Sequence, residues 1–406
     1  MPALHDRVET LMRNNRRETD GFTYTLPSPE LYPFQWLWDS CFHAIILSHF
    51  DLPGAKNELR AAFSHTLPDG LLPHIIYWDQ DVAVTNWGRE MRGDVINSAW
   101  GVTGTSAITQ PPIMAYAVQR IYEQDADTTF VREVYPILKA HYECLLNDRT
   151  LEDRTLTFIV NPDESGEDNS PRFDNGQGLP PRHTANESLD RRLDRIREHA
   201  VCRFKARECM SRNFAIADVP FNIILYESLD CMAAFATLLQ LPNDALYFTD
   251  AARSVRDTTK SLLCRDGLCY SYDLNAETYI ETATWALFMP LYGGLLSERE
   301  AEELIRTWLL NTERFWTVFP VPSTSVHEAS FDPNDGFWRG PVWMAPNWFI
   351  YKGLQRYGFD DVAADIKART EELLACSGFR EQYNPHTGAG IGATNFTWGG
   401  LVIDMV

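Results

Sequence analysis

The chain has 406 residues, 45% of them hydrophobic and 23% charged, which is ample to bury a large core and excludes a disordered or collagen-like chain. Lys plus Arg number 36 and Asp plus Glu 56; the net charge of −20 repels phosphate backbones and anionic lipid, so neither nucleic acid nor a membrane surface is an expected partner. The unusual figure is aromatic: 12 Trp, 16 Tyr and 22 Phe, more tryptophan than a soluble core needs.

Met1–Glu30 is polar and has no apolar leader segment, and no uninterrupted apolar stretch approaches the ~18–20 residues that cross a bilayer. A cytoplasmic setting is therefore expected. The eight cysteines show neither C-x-x-C spacing nor a regular framework, and are expected to be reduced, partly buried small hydrophobes. Neither a metal nor a cofactor is expected, because no metal-ligand spacing, Gly-rich phosphate loop, G-x-S-x-G elbow or H-E-x-x-H occurs.

Helical periodicity dominates. In chain order, stripes occur over Asp39–Phe50 (weak), Lys56–Leu67, Pro111–Glu123 and Asp127–Asn147, with Pro136 expected to kink or split the last. Further on lie Phe221–Leu241, Asp244–Cys264, Ala283–Leu291 (weak) and Ser297–Leu310. In the last of these Ser297 and Glu300 form a capping-box pattern, and Ala301, Leu304, Ile305, Trp308 and Leu309 share one face. Pro341–Tyr357, Asp360–Cys376 and Thr394–Val406 complete the set, and short strand patterns are confined to segments such as Leu156–Val160 and Gly267–Tyr272. No low-complexity linker divides the chain. The pattern predicts an all-α fold, a toroid of about six helical hairpins in one domain spanning residues 1–406.

Between the helices lie loops dense in Trp, Pro, Gly, Asp and His, long enough to suggest function. Val160–Asp174 crowds Asp163, Glu164, Glu167, Asp168 and Asp174 into one segment. It reads either as a solvated acidic turn or as a site where one carboxyl, packed among its neighbours and Trp rings, keeps a proton near neutrality. Phe379–Gly400 holds Glu381, three spaced glycines and Trp398. Glu381 is either an ordinary exposed acid or a group beside a backbone that approaches a ligand closely.

In Tyr32–Asp39 aromatic residues flank Gln35 and Asp39, an arrangement that core packing does not explain. Apolar ring faces beside fixed hydrogen-bonding groups are what a sugar requires. Gly336–Trp343 places Arg339 between Trp338 and Trp343, either as a cation–π stack or as another wall of a pocket. His74 and His327 are lone histidines, read as hydrogen-bonded pocket or core residues rather than metal ligands.

Four segments together resemble glycoside hydrolase family sixty-three, inverting α-glycosidases on an (α/α)6 toroid that share a clan with trehalases. They are FQWLWDSCFHA (Phe34–Ala44), ESGEDNSPRFD (Glu164–Asp174), FWRGPVWMAPNW (Phe337–Trp348), and EQYNPHTG (Glu381–Gly388) with TNFTWGG (Thr394–Gly400). The resemblance implies Asp168 as general acid and Glu381 as general base, the pair being held ~6.5–9.5 Å apart in inverting enzymes so that a water fits. It implies sugar contacts at Tyr32, Trp36 and Asp39, and further ligand positions at His74, Gln110, Trp338, Arg339 and Trp343.

The chain lacks the β-rich N-terminal domain of the processing glucosidases in that family, and so is nearest to the compact bacterial mannosylglycerate and glucosylglycerate hydrolases. Their aglycone is a carboxylate, so a basic group is expected beside the acid loop. The insert at about 175–212, with its arginines within Thr184–Arg212, is the place to look and could close as a lid, although half or more of those arginines read as solvated helix charges. The expected substrate is a small α-glucoside or α-mannoside, best a glycerate glycoside. Short α-gluco-oligosaccharides, a trehalose-like disaccharide, a non-catalytic sugar-binding protein and a helical sugar epimerase are the alternatives. The glucose or mannose preference and the oligomeric state are not legible in the sequence.

Overall fold

The computed structural model describes residues 3–79, 81, 83–86, 89–92, 99–151, 155–212, 214–334 and 336–406. In chain order the helices that build the frame are α1 (Leu4–Asn15), α2 (Leu37–Leu47), α3 (Leu52–Phe63), α4 (Met114–Asp125), α5 (Thr128–Asp148) and α6 (Ala185–Val201). They continue as α7 (Val219–Leu238), α8 (Pro242–Thr258), α9 (Met289–Tyr292), α10 (Glu298–Leu304), α11 (Met344–Arg356) and α12 (Asp360–Ser377). The chain closes with a 3-10 segment, Thr397–Asp404.

Each of α2, α4, α7, α9, α11 and Thr397–Asp404 packs on the next, and the last returns to α2, so six elements close an inner ring. Their partners lie outside: α3 on α2, α5 on α4 and α7, α8 on α7, α12 on α11, and α1 on the closing 3-10 segment. The sequence dictates the layering. Every residue of α2 is buried, whereas α3 buries one stripe, Glu58 included, and carries Lys56 and Arg60 at its outer edge. Helix α7 is long and apolar enough to cross a membrane by length and composition alone, yet most of it is buried within the fold. Its neighbours here are α4, α5, α8 and α9.

The fold is the all-α toroid expected from periodicity, with local differences. Helix α5 runs through Pro136 without splitting. Ser297 and Glu300 make both bonds of their capping box, but regular α-helix ends at Leu304 and a π-helical turn, Ile305–Leu309, carries the stripe onward. Leu156–Val160 is not a strand; Ile159 makes a single bridge to Ile216. The C-terminal stretch coils as a 3-10 segment because Gly399 and Gly400 lie against Phe379 and Ile46, where a side chain would collide.

The cysteines depart further from expectation: Cys202–Cys209 and Cys264–Cys269 are disulfides, while Cys41, Cys144, Cys231 and Cys376 are free. Each bridge closes a short turn, with sequence separations of 7 and 5, so no long-range spacing pattern betrays it. Strands serve mainly to shape loops. Gln35–Trp36 pairs with Ile75–Ile76, and Arg380–Tyr383 pairs with Gly390–Thr394. Both pairs sit just before inner-ring elements, and that position aims their side chains at the centre of the ring.

Candidate active site

A cavity of about 180 Å³ opens where the chain enters the inner elements. Ahead of α2 it receives Tyr32 and Trp36, and from the first turn of that helix Trp38 and Asp39. Gln110 comes from the segment before α4, Trp338 and Trp343 from the turn before α11, and Phe396 and Trp398 from the closing 3-10 segment. The ring therefore gathers residues far apart in sequence because each lies at the same end of its own hairpin.

The acid-rich segment is not a solvated turn. Its carboxylates are buried or half-buried and each meets an arginine. Glu164 accepts from Arg149 at 2.7 Å and from the Val160 N–H at 2.8 Å. Arg172 donates to Glu167 at 2.5 Å and also pairs with Asp218, and Arg339 grips Asp174 through two bonds of 2.9 and 2.6 Å. Asp163 and Asp168 line the cavity and share Arg192, which pairs with Asp168 and lies 3.0 Å from Asp163 Oδ1. Gly166, at φ +74°, lets the loop pass against the Trp38 ring; an added Cβ would overlap that ring. Burial pushes the Asp168 carboxyl up to about 6, with the Asp163 charge adding and the Arg192 guanidinium opposing.

Glu381 is held differently. The pairing of Arg380–Tyr383 with Gly390–Thr394 changes register between Arg380 and Gln382, and this bulge turns Glu381 into the cavity. Its Oε1 accepts the Tyr32 hydroxyl at 2.5 Å and its Oε2 the Ala393 N–H at 2.8 Å. Gly392, at φ +68°, is required there, since a Cβ would overlap Glu381 Oε2. Burial raises the Glu381 carboxyl to about 7 against those two hydrogen bonds, and the Asp168 charge adds to the rise.

The aromatic wall is continuous. Trp338 and Trp343 stack face to face at 4.1 Å, and Trp398 leans on Trp343 at 5.5 Å between ring centroids. Trp398 Nε1 donates to Asp39 at 2.7 Å, and burial lifts the Asp39 carboxyl to about 6. His74 lines the cavity and bonds Ser106 at 2.9 Å; burial pushes it down to about 4, so it is neutral at pH 7. Gln110 fixes the start of α2 by accepting the Trp38 N–H at 3.1 Å.

Two expected wall residues stand behind the wall. Gln35 is buried, accepting from Trp78 Nε1 at 2.8 Å and donating to Ser40 at 2.9 Å, because strand alternation turns it away from the cavity that Trp36 faces. Arg339 is neither an aromatic stack nor a lining residue among the described contacts; with Asp174 it braces the acid loop against the Trp338 turn, donating also to the Asn169 carbonyl. His327 is exposed rather than part of pocket or core. Among the described residues no cluster could hold a metal.

The residue that sequence reasoning did not single out is Arg192. Helix α6, opened by the capping box of Thr184 and Glu187, buries Ser188, Leu189, Arg192, Ile196 and His199 on one face. A cation on the apolar stripe of Leu189 and Ile196 is the signal that could have found it. Of its neighbours, Arg197 conforms to the expectation of a solvated charge, pairing with Asp194 of its own helix, whereas Arg195 is mostly buried, donating to the Gly176 carbonyl over the Phe214 ring as well as to Glu198.

Comparison with known proteins agrees with this geometry. Residues 32–399 match the family model of the mannosylglycerate hydrolase MGH1-like glycoside hydrolase domain. The chain is 34% identical to a mannosylglycerate hydrolase of Thermus thermophilus over 96% of this chain and 97% of that one. It is 28% identical to a glucosylglycerate hydrolase of Mycolicibacterium hassiacum, covering 97% and 95%. A crystal structure of a family sixty-three mannosylglycerate hydrolase from Thermus thermophilus, in complex with Tris and D-glycerate, superposes with a TM-score of 0.87 at 32% identity, covering 99% of both chains. With a closed helical ring, a Trp-walled cavity and three raised carboxyls in it, this chain belongs to the mannosylglycerate hydrolase-like glycoside hydrolases of family sixty-three.

Proposed function

We propose that this chain hydrolyses, with inversion, a hexose α-linked to a small carboxylate-bearing aglycone, a mannosylglycerate or glucosylglycerate, using Asp168 as general acid and Glu381 as general base. The observation that carries the substrate reading is Arg192. Among the described residues it is the cation that lines the cavity, and it stands at Asp168, the group that must reach the glycosidic oxygen. An aglycone attached through that oxygen can therefore set a carboxylate against the guanidinium.

In this mechanism Asp168 gives its proton to the glycosidic oxygen as the bond from the anomeric carbon breaks. Glu381 takes a proton from a water that attacks the opposite face of the same carbon. Trp36, Trp343 and Trp398 offer ring faces to the sugar, and Asp39, His74 and Gln110 offer hydrogen-bonding groups to its hydroxyls. The insert carried by α6 acts as one wall, through Arg192.

The test is a hydrolysis screen of mannosylglycerate, glucosylglycerate, their neutral glycerol counterparts, trehalose and maltose. One or both glycerate glycosides should be cleaved, with kcat/KM on the order of 10²-fold above the glycerol counterpart, as expected when a buried charge is left unpaired. No release from either glycerate glycoside overturns the proposal.

A further inference from the structure

Arg192 raises a problem for any mechanism in which Asp168 donates a proton. A general acid must be protonated when the substrate meets it, yet a carboxyl paired with arginine is held as the carboxylate, by ~1–3 pH units relative to the unpaired group. The groups facing Asp168 come from four elements. Asp163 is on its own loop, Arg192 on α6, Tyr32 on the segment before α2, and Glu381 on the Arg380–Thr394 hairpin. Asp39 on α2 and the neutral His74 line the same cavity, so one cation stands among four carboxyls. In keeping with this, the two catalytic candidates are ordered the wrong way for their roles, Glu381 near 7 and Asp168 near 6.

We infer that Arg192 is an exchange partner: the aglycone carboxylate displaces Asp168 from its guanidinium, and the released Asp168 then takes up the solvent proton that it passes to the glycosidic oxygen. The inference rests on the reading of Asp168 as the acid and of the substrate as an anionic glycoside. Two changes act in the same direction, the lost cation and the added anion, and both favour the protonated acid. Asp163 keeps its own bond to Arg192, 3.0 Å from Oδ1, so the guanidinium stays in place while one of its partners changes.

The protons balance. Binding takes one from solvent onto Asp168, and bond cleavage delivers it to the departing aglycone oxygen. Glu381 gains one from the attacking water and returns it to solvent, and Asp168 pairs again with Arg192 as the anionic product leaves. The net reaction is glycoside plus water giving sugar plus hydroxy acid. A neutral aglycone binds without the exchange and meets an ionised Asp168. Discrimination by charge therefore falls on kcat as well as on KM.

The experiment is a pair of pH profiles on the wild-type chain, one with the glycerate glycoside it cleaves and one with the neutral glycerol counterpart. For the anionic substrate the alkaline limb of kcat should lie up to ~2 pH units above that of kcat/KM, since the first reports the complex, where Asp168 has risen, and the second the free enzyme, where Glu381 near 7 sets the limb. For the neutral substrate the two limbs should coincide. R192Q should raise the alkaline limb of kcat/KM for both substrates and narrow the difference between the limbs, since only the added anion's share of the rise remains. A residue that only binds the aglycone would raise KM and leave the limbs where they were. Calorimetry of D-glycerate binding at pH 7.5, in two buffers of different ionisation enthalpy, should show net uptake of roughly 0.2–0.9 proton by the wild type, the range that a rise of ~1–3 pH units from about 6 gives, and glycerol should show none. Coincident limbs on the anionic substrate, or D-glycerate binding with no proton uptake, overturns the exchange while leaving the proposed activity standing. Absence of hydrolysis of both glycerate glycosides overturns both.

Discussion

The acid loop and the base hairpin place two buried carboxyls in one cavity by opposite means. Asp168 is balanced by a charge, Arg192, which comes from a separate helix and also serves Asp163. Glu381 is fixed by neutral donors, the Tyr32 hydroxyl and the Ala393 N–H, beside a glycine whose missing side chain makes room for it. A charge partner can be exchanged by an incoming charge, whereas a backbone hydrogen bond is part of the scaffold. On the proposed roles, the proton of Asp168 is open to the charge of the substrate, while the donors that hold Glu381 do not depend on it.

The comparison can be broken most severely by removing the carboxylates. Asp168→Asn and Glu381→Gln should each lower kcat by at least ~10²–10⁴-fold with the circular dichroism spectrum unchanged. Near-normal turnover in either variant removes that residue from the mechanism. Next in size is Gly392→Ala, which places a Cβ against Glu381 Oε2 at a left-handed backbone position. A displacement of about 1 Å is enough for a loss on the order of 10²-fold in kcat, and an alanine variant with full turnover would show that the hairpin does not fix the base.

Tyr32→Phe has a smaller and more specific effect. The hydroxyl favours the ionised form of Glu381, so its removal raises that carboxyl further. With Glu381 near 7 and Asp168 near 6, the upper of the two macroscopic values follows Glu381, so the alkaline limb of kcat/KM should move to higher pH by about one unit with the acidic limb unmoved. A shift of the acidic limb instead would mean that the two sites are not separable as described.

The smallest effect is on stability. The folded Glu381 carboxyl, near 7, binds its proton more tightly than an unfolded one near 4.5. Its ionisation therefore penalises the folded chain increasingly as pH rises from about 4.5 through 7, and the penalty is absent below that window. Glu381→Gln should accordingly melt a few degrees above wild type at pH 8 and level with it at pH 4. Equal melting temperatures at both values would contradict the buried placement of this carboxyl.

Much of this was legible in the sequence, for identifiable reasons. Helical stripes such as Asp360–Cys376 survive as helices because their apolar faces have neighbouring hairpins to pack on. Tyr32, Trp36, Asp39, Asp168, Glu381 and Trp398 were placed near one another by motif, and all of them line the cavity. What composition and motif could not resolve was direction. Gln35 and Trp36 are adjacent in a strand and face opposite sides, so the motif that named both could be right about only one as a wall residue. Arg339 stands between two lining tryptophans yet turns to Asp174, since a buried guanidinium with a carboxylate in reach pairs with it. Arg192 was hidden among helix charges because its partner is supplied by tertiary structure. The two disulfides were hidden because each closes only a local turn.

The most direct test of the central claim, that Asp168 and Glu381 act on opposite faces of the anomeric carbon with a water between, is proton NMR of the first sugar released from an α-linked glycerate glycoside. The β-anomer should appear first and then mutarotate. First appearance of the α-anomer would contradict the two-carboxylate water mechanism.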